Sequence, residues 1–236
     1  MNRISIVIPV LREAERINSL VDHIHSQEFH ESYEIIVVDG DPDGTTINAI
    51  QHEEIKTMTS AKGRARQMNA GAGIAEGEIL FFLHADTLLP DNGLHKISSA
   101  MEDKQYVAGA FNLGMDTNSL ALKIIVYIAS RRSRLSRIPY GDQGIFIRRD
   151  YFNRIGCYKD IPLMEDVELM RRIKKMGDKI HIIPDRVSTS ARRWEEEGVA
   201  RCSARNIIIA TLYCMGVSPE TLVRYYRRRR NVHRNG

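Results

Sequence analysis

A strand, a helix and a second strand follow one another in the first forty residues, and this pattern limits the fold more than any other feature. The run Ile4–Val10 is compact and rich in β-branched residues, which predicts a buried strand that stops at Pro9. Apolar residues then recur at steps of three and four from Ala14 to Ile24, which predicts a helix with one apolar stripe. A second apolar run, Tyr33–Asp39, ends in a carboxylate. Strand, helix and strand at this spacing predict a βαβ unit in a parallel sheet.

A third apolar run, residues 79–83, ends in the polar residues His84 and Asp86. Consecutive apolar residues of this kind are typical of a strand that is buried on both faces. In an open α/β sheet, ligands bind at the carboxyl ends of the strands. Asp86 is therefore a candidate for holding a charge or a metal ion. A simple Asp-Thr turn is the alternative.

Two loops near the predicted strand ends have the composition of ligand-binding segments. Residues 40–45 are rich in Gly, Pro and Asp, and their carboxylates could bind a nucleotide base or ribose, although a plain tight turn would explain the glycines. Residues 62–73 are predicted to form a helix with small residues on its packing side and Arg64 near its start. A guanidinium at a helix N-terminus can bind phosphate, and a solvated basic first turn is the alternative.

The second half of the chain contains a further group of polar residues. Residues 139–148 form a polar, glycine-flanked loop that runs into a predicted strand, and Glu165 and Asp166 open a predicted helix. The two acids could be favourable first-turn residues, or one could be a general base beside a hydroxyl substrate. The glycine-broken run 107–114 predicts an edge or bent strand. Residues 120–129 predict a very apolar helix that packs in the core or at an interface, with a membrane-facing patch as the alternative.

Composition and charge indicate an ordinary globular domain. The chain has 236 residues, of which 43% are hydrophobic and 27% are charged, and one domain is expected. The net charge is +4, but six arginines lie in the last thirteen residues, so residues 1–223 carry a charge of −2. The basic character therefore belongs to a tail, and nucleic-acid binding is not expected of the body of the chain.

Cysteine usage and hydropathy predict a cytoplasmic location. The three cysteines, Cys157, Cys202 and Cys214, have no CxxC spacing, so neither a disulfide framework nor a zinc knuckle is expected. The first apolar run has no small-residue cleavage site after it, so we do not expect a signal peptide. The other apolar runs are shorter than the roughly 20 residues that a membrane span needs.

The ordered set of motifs resembles the family 2 glycosyltransferases of GT-A fold. The resemblance covers about residues 3 to 195. It looks closest to a small bacterial branch described as associated with radical-SAM and selenium-domain proteins. The motifs are Ile4-Ser5-Ile6-Val7-Ile8-Pro9, Val37-Val38-Asp39 with Asp43-Gly44-Thr45, residues 63–71, Leu83-His84-Ala85-Asp86-Thr87, Gly141-Asp142-Gln143-Gly144 and Glu165-Asp166. The resemblance implies an α/β, Rossmann-like and mostly parallel sheet flanked by helices. We expect one GT-A domain over residues 1–195 and a helical C-terminal extension with a basic tail over residues 196–236.

The resemblance also implies a reaction and a set of site residues. The reaction is an inverting sugar transfer from a nucleotide-diphosphate sugar, with a UDP-sugar favoured, to a hydroxyl acceptor. Asp166 would be the general base, and Asp86 would bind Mg²⁺ or Mn²⁺, with His84 as a second candidate ligand. The donor would contact Pro9, Glu13, Asp39, Arg64 and Ala85, and the acceptor site would contain Gln143, Glu165, Arg193 and Trp194.

His84 departs from the family's pattern. It stands where a typical member has the first acid of the DxD motif, whose last acid corresponds to Asp86. Imidazole is a poor ligand for magnesium, so either Asp86 and waters hold the ion or a softer ion such as manganese is preferred.

Alternatives to this function remain open at the level of the sequence. A non-catalytic nucleotide-sugar sensor would keep the donor site without the transfer reaction. A nucleotidyltransferase is disfavoured because no glycine-rich phosphate loop follows the first strand. The arginine cluster within residues 224–234 could contact an anionic membrane that carries a lipid-linked acceptor, could be a solvated tail, or could bind RNA. A homodimer is a further partner hypothesis.

Overall fold

The computed structural model describes residues 3–231, apart from the side chains of Arg193 and of residues 226–231. The strands are β1 (Ile4–Val10), β2 (Tyr33–Asp39), β3 (Lys56–Thr59), β4 (Ile79–Phe82), β5 (Thr87–Leu88), β6 (Tyr106–Asp116), β7 (Ile145–Arg148) and β8 (Lys179–Ser190). The α-helices are α1 (Ala14–His25), α2 (Arg64–Ile74), α3 (Gly93–Glu102), α4 (Leu120–Ser136), α5 (Arg149–Arg154), α6 (Glu165–Lys175), α7 (Arg192–Glu197), α8 (Val199–Cys214) and α9 (Pro219–Asn231). Short 3-10 helices cover Ile47–Ala49 and Gly141–Gln143.

The strands form one mixed sheet in the order β3-β2-β1-β4-β7-β6-β8-β5. Neighbouring strands from β3 to β4 are parallel, as the βαβ pattern predicts, and β7 runs antiparallel between β4 and β6. β5 pairs with β8 at the far edge, although only residues 83–86 separate it from β4. Four residues reach at most about 14 Å, so the sheet curls and brings its far edge back toward the end of β4.

Helices cover both faces of the sheet and complete two hydrophobic cores. One face is buried by α1 and α3, whose buried residues include Ile17, Leu20, Leu94 and Ile97. The other face is buried mainly by α2, α5 and α6. Helix α2 lies close to β1, because a Cβ on Gly71 would stand 2.5 Å from Val7 Cγ1. The predicted role of small residues in this helix is therefore confirmed.

The first strand does not stop at Pro9, contrary to the sequence prediction. β1 continues to Val10, and Pro9 is paired with Val38 of β2. On its other side, the pairing of β1 with β4 ends at Val7 and Phe82. Proline has no N–H group to donate to a neighbouring strand. The missing donor breaks no hydrogen bond here, because β1 is no longer paired with β4 beyond Val7.

The glycine-broken strand β6 is bent and lies inside the sheet, so the bent alternative was right and the edge alternative was wrong. It pairs with β7 and β8, and its register with β8 shifts between Phe111 and Asn112. A Cβ on Gly109 would lie 2.3 Å from Phe146 Cζ. The absence of this side chain lets β6 pack beside a buried ring in the middle of the sheet.

The apolar helix α4 is only partly a core helix. Leu122 and Val126 are buried, and Ser130 and Ser133 continue this inner face. An outer stripe of apolar side chains is exposed, and its members are Leu120, Ile124, Tyr127, Ile128 and Leu135. Helix α8, which contacts α4, also exposes Ile207, and Met215 directly after α8 is exposed. Within residues 3–231, no helix combines the length and the apolar character that crossing a membrane would require.

The C-terminal helices agree with the sequence prediction in part. Pro219 is the first residue of α9, as its position after Ser218 predicts. Helix α8 begins at Val199, seven residues before the predicted apolar start at Asn206. All three cysteines are free thiols. Of the tail arginines, Arg224 is exposed, whereas the side chains of residues 226–231 and all of residues 232–236 lie outside the described part.

Candidate functional site

The carboxyl ends of β1, β2 and β4 lie side by side, and Asp39, His84 and Asp86 end or follow these strands. The register pairs Val10 of β1 with Asp39 of β2, and Val7 of β1 with Phe82 of β4. Polar residues that follow these strand ends therefore share one edge of the sheet.

Asp39 organises the loop that follows β2. Its carboxylate is fully buried and accepts hydrogen bonds from the N–H groups of Asp41 and Thr46, both at 2.9 Å. Thr46 Oγ1 in turn accepts a 3.1 Å hydrogen bond from the N–H of Glu13, the residue before α1. Within the loop, hydrogen bonds from Thr45 and from the Asp43 N–H lower the pKa of Asp41. Asp39 therefore fixes this loop against the start of α1.

Gln67 holds the strand ends at the edge of the sheet where the site lies, a role that the sequence analysis missed. It is buried in α2, and its Nε2 donates to the carbonyl oxygens of Val10 at 2.6 Å and Val38 at 2.8 Å. A Cβ on Gly40 would approach its amide group to 3.0 Å. One amide thus ties the ends of β1 and β2 to α2. No single-sequence signal marks this role, because it depends on three segments meeting.

Arg64 and Glu165 face each other across the site. Arg64 is the first residue of α2, Glu165 is the first residue of α6, and Arg64 Nη1 lies 3.4 Å from Glu165 Oε1. The Glu165 side chain is buried, and Oε1 accepts no hydrogen bond from the described residues. Burial raises the pKa of Glu165, Asp166 adds to this effect, and the charge of Arg64 opposes it. The pair is therefore a loose ion contact rather than a fully satisfied salt bridge.

Asp166 is held in a fixed orientation at the start of α6. Its Oδ2 accepts a 2.5 Å hydrogen bond from the N–H of Gly141, and its Oδ1 accepts one at 2.7 Å from the N–H of Val167. His84 lies beside the same glycine: a Cβ on Gly141 would stand 3.1 Å from His84 Nε2 and 3.3 Å from Asp166 Oδ2. His84 and Asp166, which are far apart in the sequence, therefore border one small space.

Gln143 is a structural residue in this arrangement. It is buried, and its Oε1 accepts hydrogen bonds from Ser133 Oγ at 2.6 Å and from the Tyr140 N–H at 3.1 Å. Its Nε2 donates to the carbonyl oxygen of Phe111 at 2.9 Å. These bonds fix the 3-10 turn that contains Gly141. The amide of Gln143 is already occupied by these hydrogen bonds. Gln143 can therefore shape an acceptor site only through the position of that turn.

Asp86 occupies a different part of the sheet edge from His84. It is exposed, its backbone carbonyl accepts a 3.1 Å hydrogen bond from the Ser190 N–H, and it lines a cleft of about 200 Å³. The other lining residues are Glu15, Arg16, Ser19, Leu20, Ala85, Leu88 and Ser190. Magnesium and manganese bind one or two carboxylates together with phosphate and water oxygens, so an accessible carboxylate here fits such an ion.

Two tyrosines that the sequence analysis did not select border the site. Tyr158 is buried among Glu165, Asp166 and Arg64, and burial raises its pKa well above the usual value. The guanidinium of Arg132 lies 3.6 Å from the centre of the Tyr140 ring. Burial also raises the pKa of Tyr140, and Arg132 opposes this shift. Tyr140 adjoins the Gly141 motif, which is the signal that could have identified it.

The segment before α6 is attached to α2 by polar contacts. Asn69 donates to the Tyr158 carbonyl at 2.8 Å and accepts from the Tyr158 N–H at 3.0 Å. Arg66 Nε donates to Asp160 Oδ1 at 2.8 Å. These contacts set the distance between the N-termini of α2 and α6, and so between Arg64 and Glu165.

The predicted RxW-type element lies in α7. Trp194 is half-buried, and its backbone N–H donates to the Ala191 carbonyl at 2.8 Å. The side chain of Arg193 lies outside the described residues. Helix α7 packs against α8.

Comparison with solved structures shows the class of fold. The chain is similar to the mannosyltransferase PcManGT from Pyrobaculum calidifontis, solved in complex with GDP-Man and Mn²⁺, with a TM-score of 0.65 and 21% identity over 80% of this chain and 56% of that chain. It is also similar to S. aureus TarS 1-349, with a TM-score of 0.60 and 16% identity over 80% of this chain and 60% of that one. This chain thus matches little more than half the length of either neighbour. The fold is that of the GT-A glycosyltransferases, as expected.

The family follows from the sequence match. The pattern of glycosyl transferase family 2 matches residues 5–158, well over half of the chain. The chain belongs to this family. A comparison with curated protein sequences finds no match. The narrower likeness to the radical-SAM-associated branch stays a prediction.

Proposed function

We propose that this protein is a glycosyltransferase that moves a sugar from a nucleoside diphosphate sugar to a hydroxyl acceptor, with inversion at the anomeric carbon. The observation that carries the proposal is the Asp166 carboxylate, which is anchored by Gly141 and stands next to the Arg64–Glu165 contact. This arrangement combines a fixed base with a cation at the start of a helix. Those are the two chemical requirements of a direct displacement on a sugar diphosphate.

Asp166 acts as the general base. Two N–H groups fix its carboxylate, so the remaining lone pairs point in a set direction. It takes the proton of the acceptor hydroxyl while that oxygen attacks the anomeric carbon, and the nucleoside diphosphate leaves from the opposite face of the sugar. A single displacement of this kind inverts the anomeric configuration.

Arg64 stabilises the leaving group. It begins α2, so its guanidinium and the helix N-terminus both favour an anion at the same place. Negative charge grows on the diphosphate as the bond between its oxygen and the anomeric carbon breaks. Arg64 lies close to Glu165, and a bound diphosphate would give the guanidinium a second anionic partner.

The nucleotide contacts the loops at the ends of β1, β2 and β4. We propose that Pro9, Glu13, Asp39 and Ala85 line this pocket, with Asp39 acting on the base side through the loop that its carboxylate holds. The neighbouring mannosyltransferase contains GDP-Man, which supports a nucleotide-sugar donor. For this chain, we propose a UDP-sugar as the donor.

A divalent metal ion, Mg²⁺ or Mn²⁺, would be held by Asp86. When bound, such an ion neutralises charge on the donor phosphates. His84 is half-buried beside Gly141, and its imidazole favours Mn²⁺ over Mg²⁺ if it contributes a ligand. The neighbouring mannosyltransferase was solved in complex with GDP-Man and Mn²⁺, which supports a divalent metal in this reaction.

The acceptor lies on the α6 side of the site. We propose that Glu165, Trp194 and Arg193 contact it and that Gln143 shapes the site through the turn at Gly141. A lipid-linked acceptor at a membrane surface agrees with the exposed apolar stripe of α4, which basic residues such as Lys123 and Arg131 accompany. The protein would then be cytoplasmic and peripheral to the membrane. A homodimer through the same stripe is the competing explanation.

We further propose that the transferase domain covers residues 1–195 and that residues 196–236 form an extension to it. Helix α8 lies close to the acceptor side, because Arg171 of α6 donates to Cys214 Sγ at 3.0 Å. The extension would therefore help to shape the acceptor site.

The base assignment is tested with Asp166→Asn. Asparagine keeps an acceptor oxygen for the Gly141 N–H but cannot take a proton, so we expect transfer to fall by at least about 100-fold while donor affinity is retained. Donor binding is measured by calorimetry, and transfer is measured by mass spectrometry of the product. Loss of donor binding in a correctly folded variant would contradict the role of Asp166 as base.

A non-catalytic nucleotide-sugar sensor is the second candidate function. It is motivated by His84, which replaces an acid of the family motif. A thermal-shift screen of UDP, GDP, TDP and CDP sugars, with and without Mn²⁺, identifies the donor for both functions. Hydrolysis or transfer of that donor by the wild-type chain would exclude the sensor.

A further inference from the structure

We infer that His25, His52 and Glu54 form a second metal site that selects Zn²⁺ or a similar ion. The three residues come from two places in the chain: His25 ends α1, while His52 and Glu54 precede β3. This cluster, the histidine site, lies at the amino ends of β2 and β3. It is therefore at the opposite end of the strands from Asp39, and it does not depend on the proposed donor site.

The separations of the ligand atoms match a tetrahedral ion. Glu54 Oε1 lies 3.4 Å from His25 Nε2 and 3.6 Å from His52 Nδ1, and the three atoms lie within 4.8 Å of one another. A tetrahedral ion with ligands at about 2.0–2.2 Å requires neighbouring ligand atoms to be about 3.3–3.6 Å apart. Two separations already have this value, and His25 and His52 each bring a ring nitrogen within 4.8 Å of the carboxylate and of one another. Water can supply a fourth ligand.

Asp22 orients His52 in the manner of an outer-sphere carboxylate. Its Oδ1 lies 3.2 Å from His52 Nε2, the ring nitrogen that does not face Glu54. A carboxylate there holds the proton on Nε2 and leaves the lone pair on Nδ1 directed at the histidine site. With the proton on Nε2, the Nδ1 lone pair and the Glu54 carboxylate both present acceptors to the same space, which suits a cation.

The ligand atoms of the histidine site favour a different kind of metal ion from the one proposed at Asp86. Two imidazoles and one carboxylate favour zinc, copper or nickel, whereas carboxylate and phosphate oxygens favour magnesium or manganese. A bound ion would join the end of α1 to the segment before β3. Its effect would be on stability, since these residues lie away from the catalytic edge.

The test uses the full chain, stripped of metal by a chelator and without nucleotide. We expect one equivalent of Zn²⁺ by calorimetry, a visible absorption band of tetrahedral Co²⁺, and a Tm higher by about 5–10 °C at a hundredfold excess of Zn²⁺ over Kd. His25→Ala and His52→Ala should abolish this binding. Asp22→Ala should weaken it about tenfold, because it removes only the outer carboxylate.

Two control variants keep the result specific. His30→Ala removes an exposed histidine five residues after His25, and Asp86→Ala removes the proposed donor-site ligand; both should retain full Zn²⁺ affinity. Circular dichroism confirms that each variant is folded. Absence of Zn²⁺ binding by the wild-type chain, or equal affinity in the wild type and the folded His25→Ala and His52→Ala variants, would overturn the inference and leave these groups as ion pairs.

Discussion

Gly141 donates its N–H to Asp166 Oδ2 at 2.5 Å, and the same glycine leaves room for the imidazole of His84. The Gly141 turn is itself held by Gln143, whose amide bonds to Ser133 of α4, to Phe111 of β6 and to Tyr140 within the turn. The orientation of the proposed base therefore depends on a backbone group and on the absence of a side chain.

Gly141→Ala tests this dependence. The new Cβ would stand 3.1 Å from His84 Nε2 and 3.3 Å from Asp166 Oδ2, so both groups must shift. We expect kcat to fall by about 10- to 100-fold, since small misplacements of a reacting group have effects of this size. The free energy of unfolding should fall by only about 1–2 kcal/mol.

Gly73→Ala is the matched control, because a Cβ at this position in α2 meets no atom within 4 Å among those described. It should leave kcat unchanged and raise stability by up to about 1 kcal/mol, the usual helix preference for alanine. An unchanged kcat in Gly141→Ala would mean that the turn does not position the base.

Arg64→Ala tests the contact with the diphosphate. Loss of the guanidinium should raise the Kd for the nucleoside diphosphate at least about tenfold, because a charge-assisted bond to phosphate is removed. Lys175→Ala is the control, because Lys175 is an exposed cation at the opposite end of α6 from Glu165. Isothermal titration of both variants with the donor discriminates the roles. Equal Kd values in Arg64→Ala and the wild type would remove Arg64 from the donor site.

Glu34 makes stability depend on pH. It accepts a 2.5 Å hydrogen bond from Ser5 Oγ and lies 2.8 Å from Lys56 Nζ. Burial alone would raise its pKa, but the bonds from Lys56, Ser5 and the Glu76 N–H outweigh burial and lower the pKa of Glu34 to about 2. A depressed carboxyl pKa stabilises the folded state above the unfolded value of 4.5, and this contribution is lost as the pH falls toward and through about 2.

Glu34→Gln should therefore lower the free energy of unfolding at pH 7 by about 1.5–3 kcal/mol, the range for hydrogen bonds to a charged group. The difference from the wild type should shrink as the pH is lowered from 5 toward 2. Urea unfolding at several pH values measures it, with the exposed Asp91→Asn as the control. A difference that stays constant over this range would contradict the assignment.

The outer stripe of α4 predicts attachment to anionic lipid. Replacing Leu120, Ile124 and Ile128 by serine should reduce sedimentation with phosphatidylserine vesicles about tenfold, because exposed apolar area is lost. Met176→Ser, an exposed apolar residue at the end of α6, should have no effect. If the stripe instead forms a homodimer, the triple variant changes the mass in solution and vesicle binding stays the same.

The sequence by itself determined the alternation of strands and helices, the carboxylates at the strand ends and the glycosyltransferase family. Each of these depends on local periodicity or on residue order along the chain. Asp39, His84 and Asp166 could be selected because they follow or open regular elements.

Only the tertiary structure decided which of these groups meet. His84 shares a space with Asp166 across Gly141, whereas Asp86, two residues later, lines a cleft beside α1. Gln143, Gln67 and the histidine site acquire their roles from segments far apart in sequence. Such contacts depend on the curl of the sheet and on helix packing, which side-chain periodicity does not encode.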